Sequence, residues 1–202
     1  ALNGLVSALV SLAAKSPLVV VHGGSADIAS LQRQLGLEPR FVEGLRVTDE
    51  ASLQVAEMVL SGTDNKRLTG RLVRKGVRAI GLSGVDAGLL TAEKLTHPKG
   101  DLGRVGEITA GDVACPTDLM LQGFTPVISP ISLGTDGRPF NVNADHAALA
   151  IAGALGVAEM IFLTDVSGVM VDGQVLARLV AAEARRLIDS GEITGGMIPK
   201  VR

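Results

Sequence analysis

The chain has 202 residues, a size at which a single α/β domain is ordinary, and we expect one domain over residues 1–202. Hydrophobic residues make up 47% of it and aromatic residues only 2%, with no tryptophan or tyrosine, so the core must consist of aliphatic side chains. The net charge of -2 and the scarcity of aromatic rings give no support for binding to nucleic acid or to an anionic membrane.

The cysteine content and the hydropathy pattern bear on the cellular compartment. The single cysteine, Cys115, cannot form an internal disulfide bond, and no cysteines and histidines have the spacing of zinc ligands. No apolar run reaches the roughly 20 residues that span a bilayer, and no signal peptide is recognisable. We therefore expect a cytoplasmic protein in a reducing environment.

The first elements predict a helix, a strand and a second helix. Apolar residues at helical spacing predict a helix over residues 2–13. The β-branched run that follows predicts a buried parallel strand over residues 18–21. A second helical pattern covers residues 26–35.

A glycine turn, His22-Gly23-Gly24-Ser25, joins that strand to the second helix. A tight turn is the commoner role of paired glycines, and a structural role is the commoner one for His22. We favour the alternative that the amides of Gly23 and Gly24 bind an anion, because glycine lets the backbone approach closely and a helix N-terminus stabilises negative charge.

Arg46 directly precedes the next predicted helix, for which Thr48 or Asp49 is the N-cap. A guanidinium group in such a place suits a carboxylate, since its planar fork binds both oxygens. The ordinary alternative is a solvated surface arginine.

The middle of the chain predicts a further helix and several strands. A helix is expected from Asn65 to about Gly76, and a strand over residues 77–82. Residues 90–108 have a less regular pattern, which predicts an antiparallel segment that flanks the main sheet. Residues 118–122 belong to a predicted helix that ends at Gly123, and a buried strand over residues 125–129 follows.

A polar segment, Asn141-Val142-Asn143-Ala144-Asp145, lies between the strand region and an alanine-rich helix over residues 146–155. Open α/β sheets present ligand-binding groups where a strand region is followed by a helix. The alternative is that Asn143 or Asp145 is simply a helix N-cap.

The C-terminal part repeats the pattern of a strand followed by a polar loop. A strand is predicted over residues 160–164, a β-hairpin at Asp172-Gly173, and a helix within residues 176–190. The segment Gly195-Gly196-Met197-Ile198-Pro199-Lys200 offers backbone room and a positive charge for phosphate, although it lacks the glycine spacing of a Walker A loop.

Taken together, these motifs resemble the amino-acid kinase family, and most closely its members that phosphorylate N-acetylglutamate. The motifs that carry the resemblance are His22-Gly23-Gly24, Phe41-Val42-Glu43-Gly44-Leu45-Arg46-Val47-Thr48, Gly81-Leu82-Ser83-Gly84, Asn141-Val142-Asn143-Ala144-Asp145, Leu163-Thr164-Asp165-Val166-Ser167-Gly168 and Gly195-Gly196-Met197-Ile198-Pro199-Lys200. They follow the family's order across nearly the whole chain.

The resemblance implies an α/β fold with an open, mainly parallel sheet sandwiched between helices. It implies an acyl-amino-acid site in the N-terminal half and an ATP site in the C-terminal half. The implied reaction is phosphorylation of the γ-carboxylate of N-acetyl-L-glutamate to N-acetylglutamyl 5-phosphate, in arginine biosynthesis. A homodimer or higher homo-oligomer is the family expectation.

The resemblance also implies roles for individual residues. Gly23 and Gly24 would lie near the transferring phosphoryl group, Arg46 would bind the α-carboxylate and Asn141 the acetamido end. Asp145 would orient the catalytic lysines, and Lys200 would stabilise the transferring phosphoryl group. The nucleotide would be bound by Asp165, Val166, Ser167, Gly168, Val169, Met170, Glu192, Ile193 and Thr194, with Mg²⁺ on its phosphates and no metal site built from protein ligands alone.

The chain departs from the family pattern in two respects. It lacks the family's opening Lys-x-Gly-Gly strand and the elements beyond the Gly-Gly-Met-x-x-Lys segment, so we expect both ends to be missing. Ser25 stands where the family commonly has a third glycine. Two alternatives therefore stay open, a kinase of an N-blocked aminoadipate in lysine biosynthesis and a non-catalytic small-molecule sensor on the same fold.

Overall fold

A computed structural model describes residues 2–164, 168–171, 174–193 and 197–201. The chain divides into two compact units, residues 1–156 and residues 157–202. The first unit contains the sheet and most of the helices. That the two units constitute one domain stays a prediction.

The described helices and strands alternate along most of the first unit. The helices are α1 (Leu2–Ala13), α2 (Ser25–Gln34), α3 (Glu50–Glu57), α4 (Asn65–Val73), α5 (Ala114–Leu121), α6 (Ala144–Leu155), α7 (Ala181–Asp189) and α8 (Ile198–Val201). The strands are β1 (Val20–Val21), β2 (Phe41–Val42), β3 (Leu45–Arg46), β4 (Ala79–Gly84), β5 (Leu90–Lys94), β6 (Val105–Gly111), β7 (Thr125–Gly134), β8 (Pro139–Val142), β9 (Met170–Val171) and β10 (Gln174–Val175).

The sheet of the first unit has six strands and is mainly parallel. Strand β7 is central, since it pairs in parallel with β1, β4 and β5. Strands β5 and β6 are antiparallel, as predicted for the segment over residues 90–108. Strands β7 and β8 are also antiparallel and are joined by the turn after Gly134.

Helices cover both faces of this sheet. Val127 on β7 packs in the same cluster as residues of α1 and α4, whereas its neighbour Ile128 packs with Ala147 and Ile151 of α6. Because successive residues of a strand point to opposite faces, α6 lies across the sheet from α1 and α4. The predicted helix–sheet–helix sandwich is confirmed.

The first unit contains one helix that is longer than predicted. Helices α3 and α4 are continuous through a π-helical segment, Met58–Asp64, so the chain is helical from Glu50 to Val73. The predicted helix from Asn65 corresponds to α4, but no break separates it from α3.

In the second unit, the prediction of a strand over residues 160–164 was wrong. Those residues have no regular secondary structure, and Ile161 and Leu163 are exposed. A strand requires a hydrogen-bonding partner, and none of the described strands pairs with this run. Strands β9 and β10 are antiparallel, as the predicted hairpin requires, while its turn residues lie outside the described residues.

Candidate active site

The glycine turn follows β1 and leads directly into α2. Gly24 is the N-cap of α2, and no side chain caps the first turn of that helix. Among the described residues, the N–H groups of Gly23 and Gly24 have no hydrogen-bond acceptor. Unpaired amides at a helix N-terminus form an anion site, because the helix dipole adds to their hydrogen-bonding capacity.

Gly24 also has a packing requirement behind the turn. A Cβ atom at this position would collide with the carboxylate of Asp64 and the side chain of Leu60, both in the π-helical segment. A larger residue would require these two side chains to move. Because Gly24 has no side chain, the turn can pack directly against the π-helical segment. Its amides then face away from that segment.

Arg46 lies on a hairpin formed by β2 and β3, whose turn residues Glu43 and Gly44 both have positive φ. Only 6% of Arg46 is exposed, so the alternative of a solvated surface arginine does not hold. Its Nη2 donates to the carbonyl oxygen of Ser25 at 2.8 Å and to the hydroxyl oxygen of Ser25 at 3.0 Å. The guanidinium group is thereby fixed at the start of α2.

A second contact of Arg46 was not predicted from the sequence. Its Nη1 donates to Oε1 of Gln32, which is buried and itself donates to the Ser52 hydroxyl at 2.9 Å. Burial, and then the charge of Arg33, lower the pKa of the Arg46 guanidinium, which stays protonated because an arginine pKa is far above neutral. The signal in the sequence is a glutamine four residues after Ile28, on the inward face of α2.

Asn141, on β8, is positioned by Thr48. Its Nδ2 donates to Oγ1 of Thr48 at 3.2 Å, and that hydroxyl in turn donates to the carbonyl oxygen of Arg46 at 2.8 Å. Thr48 is fully buried, so it links the arginine and the asparagine from behind. Among the described residues, Oδ1 of Asn141 accepts no hydrogen bond.

The structure decides between the two candidate N-caps of α6. Oδ1 of Asn143 accepts from the amides of Asp145 at 2.8 Å and His146 at 3.2 Å, so Asn143 is the cap. Asp145 lies in the first turn of the helix and is half-buried. The alternative of a helix cap thus holds for Asn143 and not for Asp145.

One cavity brings these segments together. It has a volume of about 180 Å³ and is lined by the glycine turn, the β2–β3 hairpin and the end of β8, including Gly23, Gly24, Arg46, Asn141 and Asn143. A Cβ placed on Gly23 would lie 3.5 Å from the Cβ of Ala144, so the turn also faces the start of α6. A larger cavity of about 460 Å³, between α1 and α4, contains none of the predicted site residues.

The other predicted site residues belong to the second unit. Nζ of Lys200, on α8, lies 5.3 Å from the centre of the Phe162 ring. Met170 is on β9, Val169 accepts a backbone hydrogen bond from Leu176, and Ile193 is buried. Gly168 and Glu192 are described as well, whereas Asp165, Val166, Ser167 and Thr194 lie outside the described residues.

Within residues 2–164, 168–171, 174–193 and 197–201, no group of three or more His, Cys, Asp and Glu side chains could hold a metal ion. None of the helices described there is both long and apolar enough to cross a bilayer.

The amino acid kinase family model matches residues 1–202 of this chain. The chain belongs to the amino acid kinase family. It is 50% identical to the acetylglutamate kinase of Chloroflexus aurantiacus over 202 residues, which are 100% of this chain and 79% of that enzyme. It is 54% identical to the acetylglutamate kinase of a Roseiflexus species over 192 residues, 95% of this chain and 73% of that enzyme.

A solved structure supports the same family fold. The N-acetylglutamate synthase of Neisseria gonorrhoeae, solved with coenzyme A and N-acetyl-glutamate, matches with a TM-score of 0.84 at 27% identity. The match covers 99% of this chain and 46% of that one. The amino acid kinase fold predicted from the sequence motifs is thus confirmed by both sequence and structure.

Proposed function

We propose that this protein transfers the γ-phosphoryl group of ATP to the γ-carboxylate of N-acetyl-L-glutamate, forming N-acetylglutamyl 5-phosphate for arginine biosynthesis. The observation that carries the proposal is one cavity lined by the glycine turn, Arg46 and Asn141. The whole of this chain is also 50% identical to an acetylglutamate kinase. Each of these groups suits one part of that substrate.

Arg46 binds the α-carboxylate. A guanidinium group has five N–H bonds, of which two donate to Ser25 and one donates to Gln32. The Nε–H and one Nη1–H have no acceptor among the described residues and are left for the substrate. These two N–H bonds lie on different edges of the guanidinium plane, so one of them forms a charge-assisted hydrogen bond to the α-carboxylate, and the positive charge adds to the attraction.

Asn141 recognises the acetamido group. Its Nδ2 is held by Thr48, which directs Oδ1 as an acceptor for the N–H of the substrate amide. A substrate without that N–H would leave Oδ1 unpaired in a half-buried place, which is costly.

The amides of the glycine turn act on the phosphoryl group that is transferred to the γ-carboxylate. The γ-carboxylate of the substrate is ionised at neutral pH, so it is already a nucleophile and needs no general base. One of its oxygens bonds to the γ-phosphorus while the bond from that phosphorus to the ADP oxygen breaks. The amides of Gly23 and Gly24 donate to the phosphoryl oxygens, and alignment and neutralisation of charge supply the catalysis.

The nucleotide side of the proposal depends on the second unit. ATP supplies the phosphoryl group, and Mg²⁺ on its phosphates needs few protein ligands of its own. That Lys200 neutralises charge on the transferring group and that Asp145 orients the catalytic lysines stay predictions from the family resemblance. The nucleotide-binding segments, the homo-oligomer and the cytoplasmic location stay predictions.

An acceptor comparison tests the proposal. The full-length gene product is incubated with ATP, Mg²⁺ and hydroxylamine, which traps an acyl phosphate as a coloured hydroxamate. N-acetyl-L-glutamate, N-acetyl-L-aminoadipate and L-glutamate are compared at equal concentrations. We expect hydroxamate with N-acetyl-L-glutamate well above the other two. Preference for the aminoadipate derivative would favour the lysine-biosynthesis kinase, and no hydroxamate with any acceptor would favour the sensor.

A further inference from the structure

His22 is held between a buried asparagine and the glycine turn. Its Nε2 lies 3.1 Å from Nδ2 of Asn65, and its Nδ1 lies 3.1 Å from the carbonyl oxygen of Gly23. Asn65 is completely buried, at 0% exposure, on the helix that runs behind the sheet. The proposed reaction uses neither of these side chains directly.

The orientation of the Asn65 amide is fixed by its surroundings. Its Nδ2 lies 3.1 Å from the carbonyl oxygen of Leu82 on β4 and 2.8 Å from that of Val127 on β7. With Nε2 of His22 these are three acceptors for two N–H bonds, so one N–H is shared between two of them. Oδ1 of Asn65 accepts from Nζ of Lys66 at 3.1 Å. A flipped amide would place its oxygen against two carbonyl oxygens, so the nitrogen must face them and His22.

This orientation determines the tautomer of His22. An amide nitrogen only donates, so Nε2 of His22 must be the unprotonated acceptor. The single ring proton is therefore on Nδ1 and donates to the Gly23 carbonyl oxygen. Burial lowers the pKa of His22, which agrees with a neutral ring.

The bond to Gly23 sets the direction of the next amide. In a planar trans peptide, the carbonyl of Gly23 and the N–H of Gly24 point in opposite directions. Holding that carbonyl toward His22 directs the Gly24 N–H to the other side of the peptide plane, where it has no acceptor among the described residues. Two successive glycines would otherwise allow many peptide orientations.

We propose that Asn65 and His22 are positioning residues that aim the Gly24 amide at the transferring phosphoryl group. Asn65 is fixed by its bonds to β4 and β7 and holds the imidazole ring in place. The hydrogen bond from Nδ1 of His22 then fixes the direction of the Gly23 carbonyl. The inference rests on the proposed function for the identity of the phosphoryl group, but its geometry is independent of that function.

The tautomer is measured directly by long-range ¹H–¹⁵N correlation NMR of the ¹⁵N-labelled protein at pH 7. The chain has only three histidines, so the His22 signals are those missing from the spectrum of His22→Asn. We expect a neutral ring with the proton on Nδ1. A proton on Nε2, or a doubly protonated ring, would overturn the inference. This measurement requires no substrate or turnover.

A pair of variants tests the positioning role. His22→Asn keeps an N–H near the place of Nδ1 and so retains a donor for Gly23, whereas His22→Gln keeps an acceptor for Asn65 and loses that donor. We expect His22→Gln to lower kcat by roughly 10- to 100-fold, with KM for N-acetyl-L-glutamate within about twofold, and His22→Asn to lower kcat much less. Asn65 is left unchanged, because its amide also bonds to strands β4 and β7 of the sheet.

Ile151→Val, a conservative change in the core under α6, is the control for a loss of stability alone. It should leave kcat unchanged. If the two His22 variants lose stability like this control and keep the wild-type kcat, His22 is only structural and the inference is wrong. If the wild-type protein itself fails to phosphorylate N-acetyl-L-glutamate, the proposed function fails, and the tautomer measurement still decides the geometry at the turn.

Discussion

At the scale of single residues, Arg46 is the side chain on which acceptor binding most depends. It is buried, and its guanidinium group is fixed by Ser25 and Gln32. We predict that Arg46→Lys raises KM for N-acetyl-L-glutamate by roughly 50- to 100-fold with little change in KM for ATP, because lysine keeps the charge but loses the planar fork. Steady-state kinetics measure both values. Arg33→Lys, an exposed change on α2, should leave both unchanged, and an unaltered KM in Arg46→Lys would contradict the assigned role.

At the scale of elements, the joined helix α3–α4 places an acidic side chain in an unfavourable environment. Asp64 is buried, and burial together with neighbouring Asp27 raises its pKa to about 6, outweighing the opposing charge of Arg67 at 2.7 Å. The folded protein therefore binds a proton more tightly than the unfolded chain does, and its stability falls as pH rises from about 4 to 6. We predict that Asp64→Asn raises the free energy of unfolding by roughly 2 kcal/mol at pH 7 and by much less at pH 4.

Urea unfolding at the two pH values measures this difference. Asp118→Asn, which changes an exposed carboxylate on α5, should show no such dependence on pH. Equal stabilisation by Asp64→Asn at both pH values would mean that the pKa of Asp64 is not raised in the folded protein.

Particular elements show what the sequence could predict. The helix over residues 2–13 and the glycine turn were predicted correctly, and Asp49, one of the two candidate caps, is the N-cap of α3, because these signals are local. The strand over residues 160–164 was predicted wrongly, because an apolar run does not specify whether another strand will pair with it. The continuous helix through Asn65 was missed, since the π-helical segment has no simple sequence signal.

At the scale of the whole molecule, strand pairing brings distant segments of the first unit to one cavity. Strand β1 pairs in parallel with β7, and β8 pairs with β7 in the antiparallel direction. Sequence motifs predicted that Gly23, Gly24, Arg46 and Asn141 share a site, and all four line that cavity. The supports behind them, Gln32 and Thr48, were not predicted, because a buried polar side chain is recognised only once its partners are known. The roles of all these residues in catalysis stay predictions.

Phosphorus NMR of the full-length gene product with ATP, Mg²⁺ and N-acetyl-L-glutamate labelled with ¹⁸O in its γ-carboxylate tests the central claim most directly. We predict that an acyl-phosphate resonance grows as the γ-phosphorus resonance of ATP declines, with the isotope shift of one ¹⁸O in the bridge between carbon and phosphorus. That result would identify both the donor and the attacking oxygen. Hydrolysis of ATP to inorganic phosphate without an acyl phosphate, or no change in the spectrum, would contradict the assignment of this chain as a kinase of N-acetylglutamate.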